Sequence, residues 1–361
     1  MRRMKKLSAV LLAMALLCAA LPLPGRAAGE KLVYLLRPDV AEQGRGGQIG
    51  LEVALQAQGG YQCAAFRIYL LYDRDCFTWL PGETQRLGPV DTGQFGQRGA
   101  AGETNKYPDG MSAQEREAYS VVVLQWAYMP QGDAAEGADG LIPLDAASTP
   151  LPLLSLGFGV KADAPLGVSR DSFRIAADTA YGPADTPYFG GIPAEGAQAR
   201  VQINPTLTAA PGITIDEAEG LIYGFPASLS RQGSAQNWQN ADLSAWLTTD
   251  GALEIDNTGK PENSGVTGTG SKIVLRWPGG GGVIRSYALV VFGDVDGNGV
   301  VDLNDYAELR AMLAGKRPDK MAAGSPYRLA ADVAPPYDGA PDADDLEALY
   351  QAAIGRGTLR A

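Results

Sequence analysis

Ile49, Leu51, Val53 and Leu55 alternate with polar or small residues. So do Phe66, Ile68, Leu70 and Tyr72, and later Leu154, Leu156, Phe158 and Val160. Alternation with a period of two gives a strand one face in a core and one face in water. Further strands are predicted near 31–36, 76–80, 119–128, 172–176 and 200–203. About eight strands with no long helix predict a two-sheet β-sandwich over 28–205. The stretches 91–118 and 131–149 are rich in Gly, Ala and charge, and are predicted as long surface loops.

The pattern changes twice after that. Residues 206–212 read as a linker, and a small β-rich module follows to 292. It has predicted strands at 221–223, 253–255, 272–277 and 283–292 and a short helix at 240–247. Pro278-Gly279-Gly280-Gly281-Gly282 supplies a hairpin turn. From 293 the period becomes helical. Tyr306, Leu309, Met312 and Leu313 form one apolar face that Gly315 ends, and Leu346, Leu349, Tyr350 and Ala353 form another before Gly355. The predicted fold is mostly β, with a small α-helical segment at 293–361.

At the N-terminus, Arg2, Arg3, Lys5 and Lys6 precede an apolar run from Leu7 to Leu21 and then small residues. This is the pattern of a cleaved secretion signal, residues 1–27, and it predicts an extracellular protein. The run is short for a bilayer span, and no membrane insertion is expected. The whole chain carries a net charge of −11. Cleavage removes five basic residues and no acidic one, which makes the mature chain more acidic still. Such a protein is repelled by nucleic acid and anionic lipid and attracts cations.

The chain has no histidine. Ser-His-Asp and Cys-His nucleophile systems and the usual zinc sites are therefore excluded. Carboxylate-pair chemistry is not excluded by this, but no acidic pair stands out as an acid/base couple, and no enzymatic activity is expected. Cys63 and Cys76 are separated by what reads as one extended strand, which favours two buried thiols over a disulfide. Trp79, Trp126, Tyr128, Trp238, Trp246 and Trp277 are candidates for stacking on sugar rings, with burial as the default for large aromatics.

The densest chemistry lies in Asp294-Val295-Asp296-Gly297-Asn298-Gly299-Val300-Val301-Asp302-Leu303-Asn304-Asp305. Oxygen donors stand at positions one, three, five, nine and twelve, and a glycine at six allows the sharp turn. This is an EF-hand calcium loop with Asp as its last residue. Calcium takes six to eight oxygens at about 2.3–2.6 Å, and a loop curled round the ion delivers them. The expected ligands are Asp294, Asp296, Asn298, the Val300 carbonyl, Asp302 (through water) and Asp305. A second loop opens at Asp332. Two extra residues, Pro335-Pro336, bring Asp338, Gly339, Asp342 and Asp345 to positions five, six, nine and twelve, with the Ala340 carbonyl at seven. Position three is Ala334, so one ligand is missing.

Two loop–helix repeats of this kind resemble the type I dockerin family. The resemblance rests on Gly293-Asp294-Val295-Asp296-Gly297-Asn298-Gly299, the Asp at twelve and the duplicated helix. It implies a fold around two calcium ions and a partner, the cohesin domain of a scaffold protein, met by the exposed faces of the helices. On the first helix these would be Leu303, Asn304, Ala307, Arg310 and Ala311. Residues 31–205 resemble a cohesin domain, a jelly-roll sandwich related to carbohydrate-binding modules, in 49–55, 63–73 and 154–167. Residues 213–292 resemble a small module found directly before dockerins, in Leu221-Ile222-Tyr223-Gly224, Gly268-Thr269-Gly270 and 287–293. These resemblances imply a secreted, non-catalytic adaptor of a cellulosome-like polysaccharide-degrading system, with a second dockerin-bearing protein as a further partner. The alternatives are a dockerin-borne protein that binds polysaccharide and a surface adhesion protein.

Overall fold

The computed structural model describes residues 31–58, 61–63, 65–87, 100–104, 106–127, 142–144, 150–168, 170–181, 194–195, 197–225, 243–258, 260 and 266–360. The expected secretion signal lies outside these residues. The chain divides into two compact units, one ending at Asn204 and the other beginning at Pro205. Among the described residues no helix is long and apolar enough to cross a membrane.

The first unit is a β-sandwich. Its main strands are β1 (Lys31–Pro38), β2 (Gln48–Gln58), β3 (Ala65–Asp73), β4 (Phe77–Arg86), β5 (Ala100–Thr104), β6 (Tyr119–Ala127), β7 (Leu151–Val160) and β8 (Phe173–Tyr181). One sheet runs Ala194–Glu195, β1, β2, β7, β4, and the other Gln198–Ala199, β8, β3, β6, β5. The alternating residues meet between them. Ile49, Leu51, Val53 and Leu55 of one sheet and Ile68, Leu70 and Tyr72 of the other share one buried cluster. Phe158 sits 5.2 Å from Tyr72 and 4.8 Å from Phe173, ring to ring, across the two sheets.

Two expected loops contain regular elements among their described residues. Within 91–118, β5 pairs with β6, and helix α1 (Ala113–Ala118) is closed by a capping box between Ser112 and Glu115. Met111 joins Leu71, Tyr119 and Val121 in a second cluster, so β3 buries residues on both faces. Within 131–149, Ile142–Leu144 pairs with Tyr61–Cys63. Short strands like these are formed by their neighbours rather than by their own propensity.

In the second unit, β9 (Thr214–Asp216), β10 (Leu221–Tyr223), β11 (Ala252–Asp256), β12 (Lys272–Arg276) and β13 (Val283–Leu289) form a sheet in the order β9-β10-β13-β12-β11. The expected linker contributes a strand of its own, because Leu207–Ala209 pairs with Leu247–Thr249. Leu247, expected in a helix, is therefore in a strand, and the rest of that helix lies partly outside the described residues. Three helices follow: α2 (Leu303–Leu313), α3 (Pro326–Ala331) and α4 (Ala343–Ala353). α3 fills what reads as a plain connector, with Pro326 in its first turn, where the missing N–H costs nothing.

One buried cluster holds Leu221, Val290 and Phe292 together with Val295, Val301, Leu309, Met312, Ala331, Val333 and Leu349. Sheet and helices thus share a core across 292/293, where the sequence suggests a boundary. The helix faces are also rotated from expectation. Leu313 and Tyr350 are exposed, while Glu308 and Ala352 are buried. The rings of Tyr306 and Tyr350 meet at 5.4 Å between the two helices.

Candidate metal centre

Loop one runs from β13 into α2, and its geometry follows from its backbone hydrogen bonds. Asp305 accepts from the N–H groups of Val295 (2.7 Å) and Asp296 (3.0 Å) through Oδ1, and from Asp302 (2.8 Å) through Oδ2. Asp294 accepts from Gly299 (3.1 Å) through Oδ1 and from Thr269 (2.6 Å) through Oδ2. These bonds draw the first, third and last residues of the loop together. Asp294, Asp296 and Asp305 are all buried, and one carboxylate oxygen of each lies within 4.8 Å of the others.

Three converging carboxylates without a cation are held at an electrostatic cost. Burial, with Asp294 nearby, pushes Asp305 up to about 8. Burial also pushes Asp294 up to about 6. A buried, all-oxygen, anionic donor set of this kind suits a hard divalent cation such as calcium.

The other expected ligands make hydrogen bonds within the loop. Asp302 caps α2, accepting from the Asn304 N–H at 2.6 Å and its side-chain amide at 3.3 Å. Asn298 accepts from the Val300 N–H at 2.8 Å and donates to Asp296 at 2.9 Å, which orients that carboxylate. Val300 is buried in the loop.

Residues outside the loop complete it, and sequence reasoning missed their roles. The segment Thr267–Gly270 lies against the loop so closely that a Cβ on Gly268 would come within 2.5 Å of both Asp294 Oδ2 and the Gly299 N. Gly299, with φ +80°, faces the Thr267 carbonyl at 2.3 Å from its own would-be Cβ. Lys260 is buried and donates to the carbonyls of Val266 (2.8 Å) and Gly297. Burial lowers its pKa, while Asp294 and Asp296 act to raise it. Lys320, also buried, donates to the Val295 carbonyl at 3.3 Å and pairs with Glu308 at 2.9 Å. The Gly268-Thr269-Gly270 run was visible as a signature, but its contact with the loop is long-range.

Loop two repeats the same frame. Asp345 accepts from Val333 (2.7 Å), Ala334 (2.7 Å) and Asp342 (2.8 Å), and Asp332 accepts from Gly339 (3.0 Å). Asp342 caps α4 as Asp302 caps α2, and Asp338 accepts from Ala340 (2.9 Å). The carboxylates do not converge. Among the described residues the only group of three that could hold a metal is that of loop one.

On α2, Leu303, Asn304, Ala307 and Arg310 are exposed as expected and Ala311 is half-buried. Leu303 keeps 53% of its surface, so an apolar side chain stands open beside the loop. Cys76 is a free, buried thiol pushed up to about 12 by burial, and the Cys63 side chain lies outside the described residues. Trp79 packs against the sandwich core and Trp246 against the core of the second unit, as burial predicts for large aromatics. Trp277 is half-buried, and the side chains of Trp126, Tyr128 and Trp238 lie outside the described residues.

No protein-family model matches the chain, and no curated protein does. Similar solved structures are cohesin modules. The sixth cohesin of scaffoldin B from Acetivibrio cellulolyticus, in complex with a mutant dockerin, is 15% identical at a TM-score of 0.30, covering 48% of this chain and 99% of that one. A type I cohesin–dockerin complex from Clostridium thermocellum is 13% identical at 0.33, covering 50% and 99%. A cohesin module of a family 33 glycoside hydrolase from Clostridium perfringens is 11% identical at 0.30, covering 48% and 97%.

Proposed function

We propose that this chain is a secreted, non-catalytic assembly protein that docks through a calcium-dependent, dockerin-like C-terminal segment. The observation that carries the proposal is the duplicated loop–helix frame, with three buried carboxylates converging in its first copy. Asp294, Asp296 and Asp305 would hold calcium in loop one. Calcium there would supply the positive charge that lets these carboxylates ionise and lets the loop close on α2. Asn298 and Asp302 then act on the frame, the first by orienting Asp296 and the second by capping the helix.

The partner would be a cohesin domain of a scaffold, met on the exposed face of α2. Leu303, Asn304, Ala307 and Arg310 stand out from the helix there, with Ala311 beside them. The sandwich, as a cohesin-like domain, would receive a second dockerin-bearing protein. Together the two units would make an adaptor in a polysaccharide-degrading assembly.

The test is binding of the full chain to a panel of immobilised cohesins, with calcium and with chelator. Binding should need calcium and should fall at least about fivefold in Leu303→Asp, because a contact near the centre of such a patch is worth more than about 1 kcal/mol. The same variant should keep its calcium-dependent melting. Binding that is indifferent to both calcium and Leu303 would sink the docking reading.

A further inference from the structure

We propose that loop two is held by an arginine in place of a second calcium ion: the guanidinium of Arg360 supplies the positive charge that its acidic frame requires. The inference takes from the preceding section only that loop one is the calcium site.

A two-calcium fold asks loop two for a converging carboxylate set, and the structure does not provide one. Position three is Ala334, which has no donor side chain. Asp332 and Asp345 are buried, but with Asp338 and Asp342 they do not form a group that could hold a metal. The space beside Asp332 is served by Arg360 instead. Its Nη2 lies 3.3 Å from Asp332 Oδ2, the oxygen that also accepts from the Gly339 N–H. In loop one the matching carboxylate, Asp294, takes its second hydrogen bond from a neutral backbone N–H, that of Thr269.

Two aromatic rings hold the guanidinium in place. Phe292 lies 3.8 Å from it and Tyr337 lies 4.6 Å from it, a cation–π clamp. Tyr337 follows the two inserted prolines and sits at φ +55°, a left-handed conformation that a bulky residue adopts only when its surroundings require it. The insertion that spoils the calcium spacing therefore carries the ring that covers the arginine. The adjacent Leu359 packs on the core, and its Cδ1 lies 2.3 Å from where a Gly293 Cβ would be. Leu359 and Arg360 are thus seated where the chain enters loop one, and they reach loop two from there. An arginine fork suits this role, since it stays charged and can stack and donate at once.

Two measurements on the full chain test this. Calorimetric titration with calcium should give one ion per chain, and Asp332→Asn should leave that number unchanged. Arg360→Ala, in saturating calcium, should lower the melting temperature of the second unit by on the order of 5–10 °C, as expected when one partner of a buried ion pair is removed. Arg360→Lys should recover only part of it, because it restores charge without the planar fork. Two ions of comparable affinity in the wild type, or loss of an ion in Asp332→Asn, would overturn the proposal. So would an Arg360→Ala variant that melts with the wild type. A chain that binds no calcium would defeat the loop-one reading alone, and the melting of the Arg360 variants would still decide this one.

Discussion

The carboxylate at position twelve of loop one, Asp305, accepts from three backbone N–H groups, and Asp345 in loop two accepts from the three equivalent ones. Positions one and six are bonded in both, and the same residue caps the following helix in both. The loops differ in what that frame surrounds. In loop one a third carboxylate, Asp296, joins the other two. In loop two its place is taken by Ala334, and an arginine stands beside Asp332. The frame is made by backbone N–H groups donating to the carboxylates at positions one, nine and twelve. On the reading proposed above, the third carboxylate is what would turn this frame into a cation site, so the frame alone would not make one.

The widest separation between the loops should come from paired alanine variants. Asp305→Ala should abolish calcium uptake and the calcium-dependent rise in melting temperature, a loss of about 2.7 kcal/mol when calcium exceeds Kd a hundredfold. Asp345→Ala removes the same three hydrogen bonds but should leave calcium uptake intact. Melting curves with and without chelator read both, and equal loss of uptake in the two variants would erase the distinction.

The glycines at position six sharpen it. Gly299 and Gly339 both have positive φ, so alanine strains each by roughly 1–2 kcal/mol. Gly299 also faces the Thr267 carbonyl, whereas nothing lies within 4 Å of a Cβ on Gly339. Gly299→Ala should lower stability several times more than Gly339→Ala in urea titrations, and similar losses would mean that the sheet segment does not press on loop one.

The loops should also separate in their pH dependence. Asp305 and Asp294 are raised to about 8 and about 6, above the ordinary aspartate value of about 3.9. In the chelated protein the folded state then holds protons that the unfolded chain has released. Its stability should fall as pH rises from about 4 to about 8. Calcium needs the carboxylates ionised, so the melting-temperature gain on adding calcium should shrink as pH is lowered through the same window. Loop two should show no such calcium effect. A gain that is flat from pH 8 to about pH 5 would contradict the assignment of loop one.

The parts that sequence makes legible are those encoded locally. Loop one is twelve consecutive residues, so its donors and its glycine can be read by counting. The alternation at 49–55 and 154–160 marks core faces for the same reason. α1 was legible too, since Ser112 and Glu115 form a capping box three residues apart, yet the Gly- and Ala-rich surroundings obscure it. β5, Ala-Ala-Gly-Glu-Thr, is not legible, because only pairing with β6 makes it a strand. Short helices hide their faces as well. Over eleven residues a stripe at 306, 309, 312 and 313 and one at 305, 308, 309 and 312 both fit the period, and the packing of charged Glu308 against Lys320 decides between them. Lys260, Thr269 and Arg360 lie 25 or more residues from the partners they serve in the loops, or reach them only through the fold. No local pattern points to them.

The close fit of Thr267–Gly270 against loop one has a practical consequence for moving this segment between proteins. A segment cut at Gly293 would carry the whole twelve-residue loop but leave behind the Thr269 N–H that holds Asp294, the Lys260 ammonium on the Gly297 carbonyl, and Leu221, Val290 and Phe292 of the shared apolar core. The portable piece begins at Pro205, about twice the length that the motif advertises. Recombination would meet the same constraint: exchange at 204/205 keeps the second unit whole, and exchange at 292/293 separates the three converging carboxylates from the residues that shape them.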